Sequence, residues 1–132
     1  MPVYRLSEAA ALLGVSDDTV RRWAEQGRVT TTSTSTGTLG IEGTTLAALA
    51  AERAHLDQQA GGPHHTSARN RLRGIVTDVT RDTVMAKVEM CCGPYRVVSL
   101  MSREAADALD LKPGVLADAV VKATTVVVET PS

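Results

Sequence analysis

The hydrophobic pattern of this chain changes period once, near residue 60, and few folds accommodate such a change. In "TVMAKVEM" at residues 83–90, Val84, Ala86, Val88 and Met90 share one face while Thr83, Met85, Lys87 and Glu89 share the other, the alternation of a half-buried strand. Before residue 60 the sequence is instead rich in Ala and Leu at helical spacing. Between the two, "QQAGGPHHTS" has the composition of a flexible connection. The pattern predicts an α+β two-domain chain, with residues 1–58 helical, 59–66 a linker and 67–130 built on strands. With 132 residues divided this way each unit buries only a small core, so oligomerisation is an expected means of support. Phe is absent and Trp occurs once, which leaves Ala, Val, Leu, Ile and Met to fill those cores. His64 and His65 fall in the linker with no Cys, Asp or third His nearby, and read as solvated residues rather than metal ligands.

In the first half, Ser7 is placed to cap a short helix through Leu13, with Glu8 in its first turn and Gly14 supplying the positive φ that ends it. Ser16 is placed to cap a second helix, with Asp17 and Asp18 at its positive end and Gly27 as its stop. Leu12, Val15, Val20, Trp23 and Ala24 are expected to meet across the turn, a helix-turn-helix pattern in which Trp23 belongs to the core. A third helix over about residues 44–58 brings Leu46, Leu49, Arg53 and Leu56 to one face.

The whole stretch "YRLSEAAALLGVSDDTVRRWAEQGRV" resembles the N-terminal DNA-binding domains of MerR-type and excisionase-like proteins. The resemblance implies a three-helix winged helix-turn-helix whose second helix enters the major groove, with Ser16, Thr19, Arg21 and Arg22 near DNA. In those families the hairpin wing commonly carries Arg or His, whereas residues 30–43 here contain no Lys or Arg. Residues 1–60 hold five basic residues (Arg5, Arg21, Arg22, Arg28, Arg53) against seven acidic ones (Glu8, Asp17, Asp18, Glu25, Glu42, Glu52, Asp57), a balance of −2. Phosphate neutralisation supplies most non-specific affinity, so one copy is expected to bind DNA weakly and several copies together usefully.

In the second half, "RGIVTDVT" is expected to form a hairpin with "TVMAKVEM", turned at "RD", and "CGPYRVVSLM" a third strand. Ser102 is placed to cap a short helix, "REAADALDL", with Ala105, Ala106 and Leu109 facing inward. After "KPG", the stretch "VLADAVVKATTVVVE" is long enough for two short strands kinked near residues 122–124. Five strands with one short helix after the third predict a five-stranded, OB-like β-barrel. Cys91 and Cys92 are adjacent, which suits neither a spaced zinc site nor an ordinary disulfide, and they read as reduced, half-buried strand residues.

The segments "TSARNRLRGIV", "VVSLMS", "LDLKPG" and "AVVKATTVVV", in this order over residues 66–129, resemble the molybdate-binding Mop or TOBE family. A tetrahedral dianion needs many hydrogen-bond donors and modest positive charge. Ser67 offers a hydroxyl, Ala68, Arg69 and Asn70 offer main-chain N–H groups, and Lys122 offers a mobile cation. The resemblance implies that Ser67, Ala68, Arg69, Asn70, Lys122 and Ala123, joined by Ser99 and Ser102, line oxyanion sites shared between subunits. Taken singly, Ser67 serves equally well to end a linker, Asn70 to cap a turn, and Lys122 as a solvated strand residue; the Arg69 guanidinium is expected to pair with an acidic side chain.

Together the two resemblances imply a cytoplasmic, oxyanion-responsive DNA-binding regulator that takes molybdate or tungstate. The rival reading is a storage protein whose N-terminal module serves protein contact or weak DNA tethering. Isolated Mop proteins suggest a homo-oligomer of the trimer-of-dimers kind, a hexamer, while the regulator-like architecture suggests a dimer. The sequence offers no membrane-spanning apolar run, nucleophile–base pair, paired acid–base carboxylates or phosphate loop, so neither a membrane partner nor an enzyme with a catalytic cofactor is expected.

Overall fold

The computed structural model describes residues 2–59 and 65–131, the last five of the first span by backbone alone. The chain divides into two compact units, Met1–His64 and His65–Ser132. The expected linker, with His64 and the side chain of Leu56, lies mostly outside the described residues, and His65 is exposed.

In the N-terminal unit, β1 (Val3–Arg5) leads into α1 (Leu6–Leu13), and α2 (Asp17–Glu25) follows after a short turn. A hairpin of β2 (Thr32–Ser33) and β3 (Leu39–Glu42) then enters α3 (Gly43–Gln59). The hairpin turns through Gly37 at φ 85°, and β1 pairs with the free side of β3, setting Tyr4 opposite Ile41. A single cluster holds this unit: Leu6, Ala9, Ala10, Val20, Trp23, Val29, Ile41 and Leu46 are buried. Full burial of a side chain such as Ile41 or Val20 contributes about 1.5–3 kcal/mol.

The ends of the helices are set locally. Gly14 adopts φ 71° and Gly27 φ 73°, and the Ser16 hydroxyl accepts the Thr19 N–H at 3.2 Å, as anticipated. The cap of α1 differs from expectation, because the Glu8 carboxylate accepts the Arg5 N–H at 3.1 Å and Ser7 lies inside the first turn. Leu12 is also displaced from its expected place and stands 59% exposed, since starting the helix at Leu6 turns Leu6, Ala9, Ala10 and Leu13 toward the core instead.

In the C-terminal unit, β4 (Asn70–Arg81), β5 (Met85–Cys92) and β6 (Tyr95–Ser102) run as successive hairpins, followed by α4 (Arg103–Ala108) and β7 (Leu116–Val121). The antiparallel sheet has the order β6-β5-β4-β7 and curls as a half-barrel, with a register shift between Val76 and Asp78 in β4 that adds twist. Ala86, Val88, Met90 and Cys92 alternate inward along β5, and Val76, Ala106 and Leu111 cluster with Ala86 and Val88. Gly74 is obligatory here, because a Cβ would collide with the Cys91 carbonyl and come within 2.8 Å of Cys92 Sγ. Both cysteines are free, Cys91 exposed and Cys92 buried, and burial pushes the Cys92 thiol above its ordinary pKa.

Three expectations for this unit are corrected. Val84 lies in the turn before β5, where the Asp82 carboxylate accepts its N–H at 2.8 Å, and not on the buried face. Leu109 is exposed, because α4 ends at Ala108 and the positive φ of Asp110 turns Leu111 inward in its place. Among the described residues four strands form, not five: after β7 the chain makes a single 3-10 turn, Ala123–Thr125, and residues 126–131 join no strand of the sheet. Among the described residues nothing pairs with the outer edges of β6 and β7.

Candidate functional site

The segment that opens the C-terminal unit is folded by its own side chains. Thr66 Oγ1 accepts the Ala68 N–H at 3.2 Å, and Arg69 Nη1 donates to the carbonyl oxygens of Thr66 at 3.0 Å and Ala68 at 3.3 Å. The expected ion pair of Arg69 with a carboxylate is thus replaced, among the described residues, by bonds that clamp its own loop. The same geometry occupies the Ala68 N–H and leaves the exposed Ser67 hydroxyl at the outside of the turn.

Asn70 ties this loop to the far end of the chain. It stands opposite Val121 in the ladder, and its Nδ2 donates to the Val121 carbonyl at 3.0 Å. Lys122 follows directly and begins the 3-10 turn, with its carbonyl accepting the Thr125 N–H at 3.0 Å and the Thr125 hydroxyl at 2.9 Å. Lys122 and Ala123 are both exposed, so a cation and a tight turn border the loop of residues 66–70. Thr66 and Thr125 were not singled out from the sequence; the signal was a hydroxyl two or three residues from a backbone group it can reach, the pattern of a side-chain-closed turn.

The two remaining oxyanion candidates stand elsewhere. Ser99 on β6 faces Val88, which faces Val79 on β4, and Ser102 pairs with Met85 and caps α4 by accepting the Ala105 N–H at 3.1 Å. Val79 lies nine positions beyond Asn70 along β4, roughly 30 Å of strand. One chain therefore brings Ser67, Ala68, Arg69, Asn70, Lys122 and Ala123 together, and holds Ser99 and Ser102 at the opposite end of the sheet.

Next to the first group, Arg73 Nε donates to Asp118 Oδ1 at 2.9 Å and Arg71 reaches Oδ2 at 3.4 Å. The Arg73 guanidinium, with Arg71 behind it, holds the Asp118 carboxyl below its usual pKa. Two guanidinium groups on one carboxylate leave this end of the sheet positive, and Lys122, which has no ion pair among the described residues, adds a further cation beside the loop.

Residues 66–128 match the family described as the TOBE domain. The C-terminal unit contains a TOBE domain. A molybdate-binding protein from Sporomusa ovata is 34% identical over 51% of this chain and all of its own length, with a TM-score of 0.49. MopII from Clostridium pasteurianum is 33% identical over 50% of this chain and all of its own, with a TM-score of 0.46. The cytoplasmic molybdate-binding protein ModG, with molybdate bound, is 38% identical over 46% of this chain and 43% of its own, with a TM-score of 0.44. No curated protein matches the chain. Among the described residues no helix is long and apolar enough to cross a membrane.

The N-terminal candidates lie on or beside α2. Ser16, Arg21 and Arg22 are exposed, but the Ser16 and Thr19 hydroxyls bond each other at 2.8 Å, which makes them cap residues first. Trp23 is buried as anticipated, and two guanidinium groups lie over its ring, those of Arg28 at 5.5 Å and Arg53 at 5.6 Å from the centroid.

Proposed function

We propose that the TOBE domain binds molybdate or tungstate at sites completed between copies of the chain, and that the N-terminal unit is a helix-turn-helix DNA-binding module. The chain is then an oxyanion-responsive regulator. One observation carries the oxyanion reading: the Asn70–Val121 pair joins the donor loop of residues 66–70 to Lys122, while Ser99 and Ser102 stand at the far end of the same sheet. A tetrahedral dianion held by both groups has to lie between two chains. The open sheet edges and the motif resemblance support the same arrangement, with a trimer of dimers favoured over a dimer. The domain boundaries that go with this reading are residues 1–58, 59–66 and 67–130.

Ser67 supplies a hydroxyl, Arg69 and Asn70 supply main-chain N–H groups, Lys122 supplies the charge, and Ala123 keeps the turn open. Ser99 and Ser102 of another copy add the remaining donors. Ser16, Thr19, Arg21 and Arg22 face DNA. Ligand binding changes DNA affinity only to the extent that it favours one arrangement of the modules over another.

A second reading, storage or buffering of the oxyanion without regulation, is favoured by the balance of −2 in residues 1–60 and by a hairpin without Lys or Arg. Titration calorimetry of the full chain with molybdate, with sulfate as control, tests the shared property. Retained duplex binding after Arg21→Ala and Arg22→Ala contradicts the regulator reading.

A further inference from the structure

The weakness of the DNA reading is a hairpin with no cation to meet phosphate, and the structure suggests where the missing charge resides. Of the five basic residues in residues 1–60, Arg5 bonds to Glu8, and the other four gather around one helix. Arg21 and Arg22 lie on α2, while Arg28 and Arg53 lie over the ring of Trp23, which α2 also carries. Two different segments deliver those cations. Arg28 follows the left-handed Gly27, with its N–H bonded to the Trp23 carbonyl at 2.9 Å, and Arg53 comes from α3.

We infer that Arg28 and Arg53, held over the Trp23 ring, form a second contact to the DNA backbone that replaces the phosphate contacts absent from the hairpin. This inference rests on the DNA-binding reading above. The physical reasons are three. A guanidinium is planar and weakly hydrated, so it can lie on an indole and still present N–H donors at its edge for a phosphate. The cation–π contact also restricts a long side chain before the ligand arrives, which lowers the ordering cost of binding. Both arginines are exposed, and among the described residues Arg21, Arg22 and Arg28 form no ion pair.

The test is the salt dependence of duplex binding by the full chain, using a labelled mixed-sequence duplex. Arg28→Ala and Arg53→Ala should each weaken binding equally across sequences and reduce the slope of log K against log salt by about 1. Lys112→Ala, in a turn of the C-terminal unit, should leave the slope unchanged. Should alanine disturb the fold, Arg28→Gln and Arg53→Gln keep a stem over the ring without the charge. Trp23 is the chain's one tryptophan, so its emission gives a second readout. Duplex should perturb that emission in the wild type and not in the double variant. An unchanged slope in the double variant, with Arg21→Ala still impairing binding, overturns this contact and leaves the α2 reading standing. Absence of duplex binding by the wild type overturns both.

Discussion

In the N-terminal unit, eight buried apolar residues from both sides of the helix pair close into one cluster, and only Leu12 and Leu39 among its described large apolar residues are exposed. In the C-terminal unit, twelve are exposed among the described residues, including Leu100 at 70%, Val127 at 89% and Val128 at 85%. Both units are small, so size does not explain the contrast. The helical unit wraps three helices and a short sheet around Ile41 and Trp23. Among the described residues the sheet unit has one α-helix to cover one face, two open edges, and an apolar tail after Thr125 that joins no strand of the sheet. The first covers most of its described large apolar side chains; the second leaves edges and apolar surface of the kind that the proposed contact between copies would cover.

The largest effects expected separate the two units directly. Gly74→Ala forces a Cβ against the β5 backbone and should destabilise the C-terminal unit by about 3 kcal/mol or more, while Trp23 fluorescence still reports a folded N-terminal unit. A loss of both signals together would break the comparison. Ile41→Ala should cost about 2–5 kcal/mol in the N-terminal unit, by chemical denaturation, at any protein concentration. Val127→Asp with Val128→Asp should behave in the opposite way, leaving a dilute monomer's unfolding unchanged but removing the rise of melting temperature with protein concentration.

A smaller effect is expected at the oxyanion site. Lys122→Ala should weaken molybdate binding about tenfold or more by calorimetry, through loss of a charge-assisted bond, with ligand-free melting unaltered because the side chain is exposed. Ser99→Ala should weaken it too, and mixing the two variant chains should recover part of the binding, since some interfaces then pair an intact loop with an intact Ser99.

The smallest effect concerns Asp118. Its pKa is lowered in the folded chain by Arg73, so its contribution is fully present above the ordinary aspartate range, about pH 4, and is lost as pH falls through the lowered value. The melting-temperature advantage of the wild type over Asp118→Asn should therefore be constant near neutrality and vanish in strong acid.

The parts of the fold that follow from short-range rules were legible in the sequence. The alternation through β5, the caps at Ser16 and Ser102 and the turn at Gly14 each depend on a few neighbouring residues. Leu12 and Leu109 were misplaced because a shift of one residue at a helix end rotates which side chain faces the core. The strand expected after Lys122 required an edge to pair with, and pattern alone does not say whether that edge belongs to the same chain. The candidate site divides likewise. The loop of residues 66–70 and Lys122 meet through one ladder pair, whereas the separation of Ser99 from them follows only from the register of three strands.

The central claim, an oxyanion site completed between copies, is tested most directly by native mass spectrometry of the full chain with and without molybdate, with sulfate as control. The expected result is an oligomer that retains molybdate and does not retain sulfate. A monomer that retains no molybdate would contradict it.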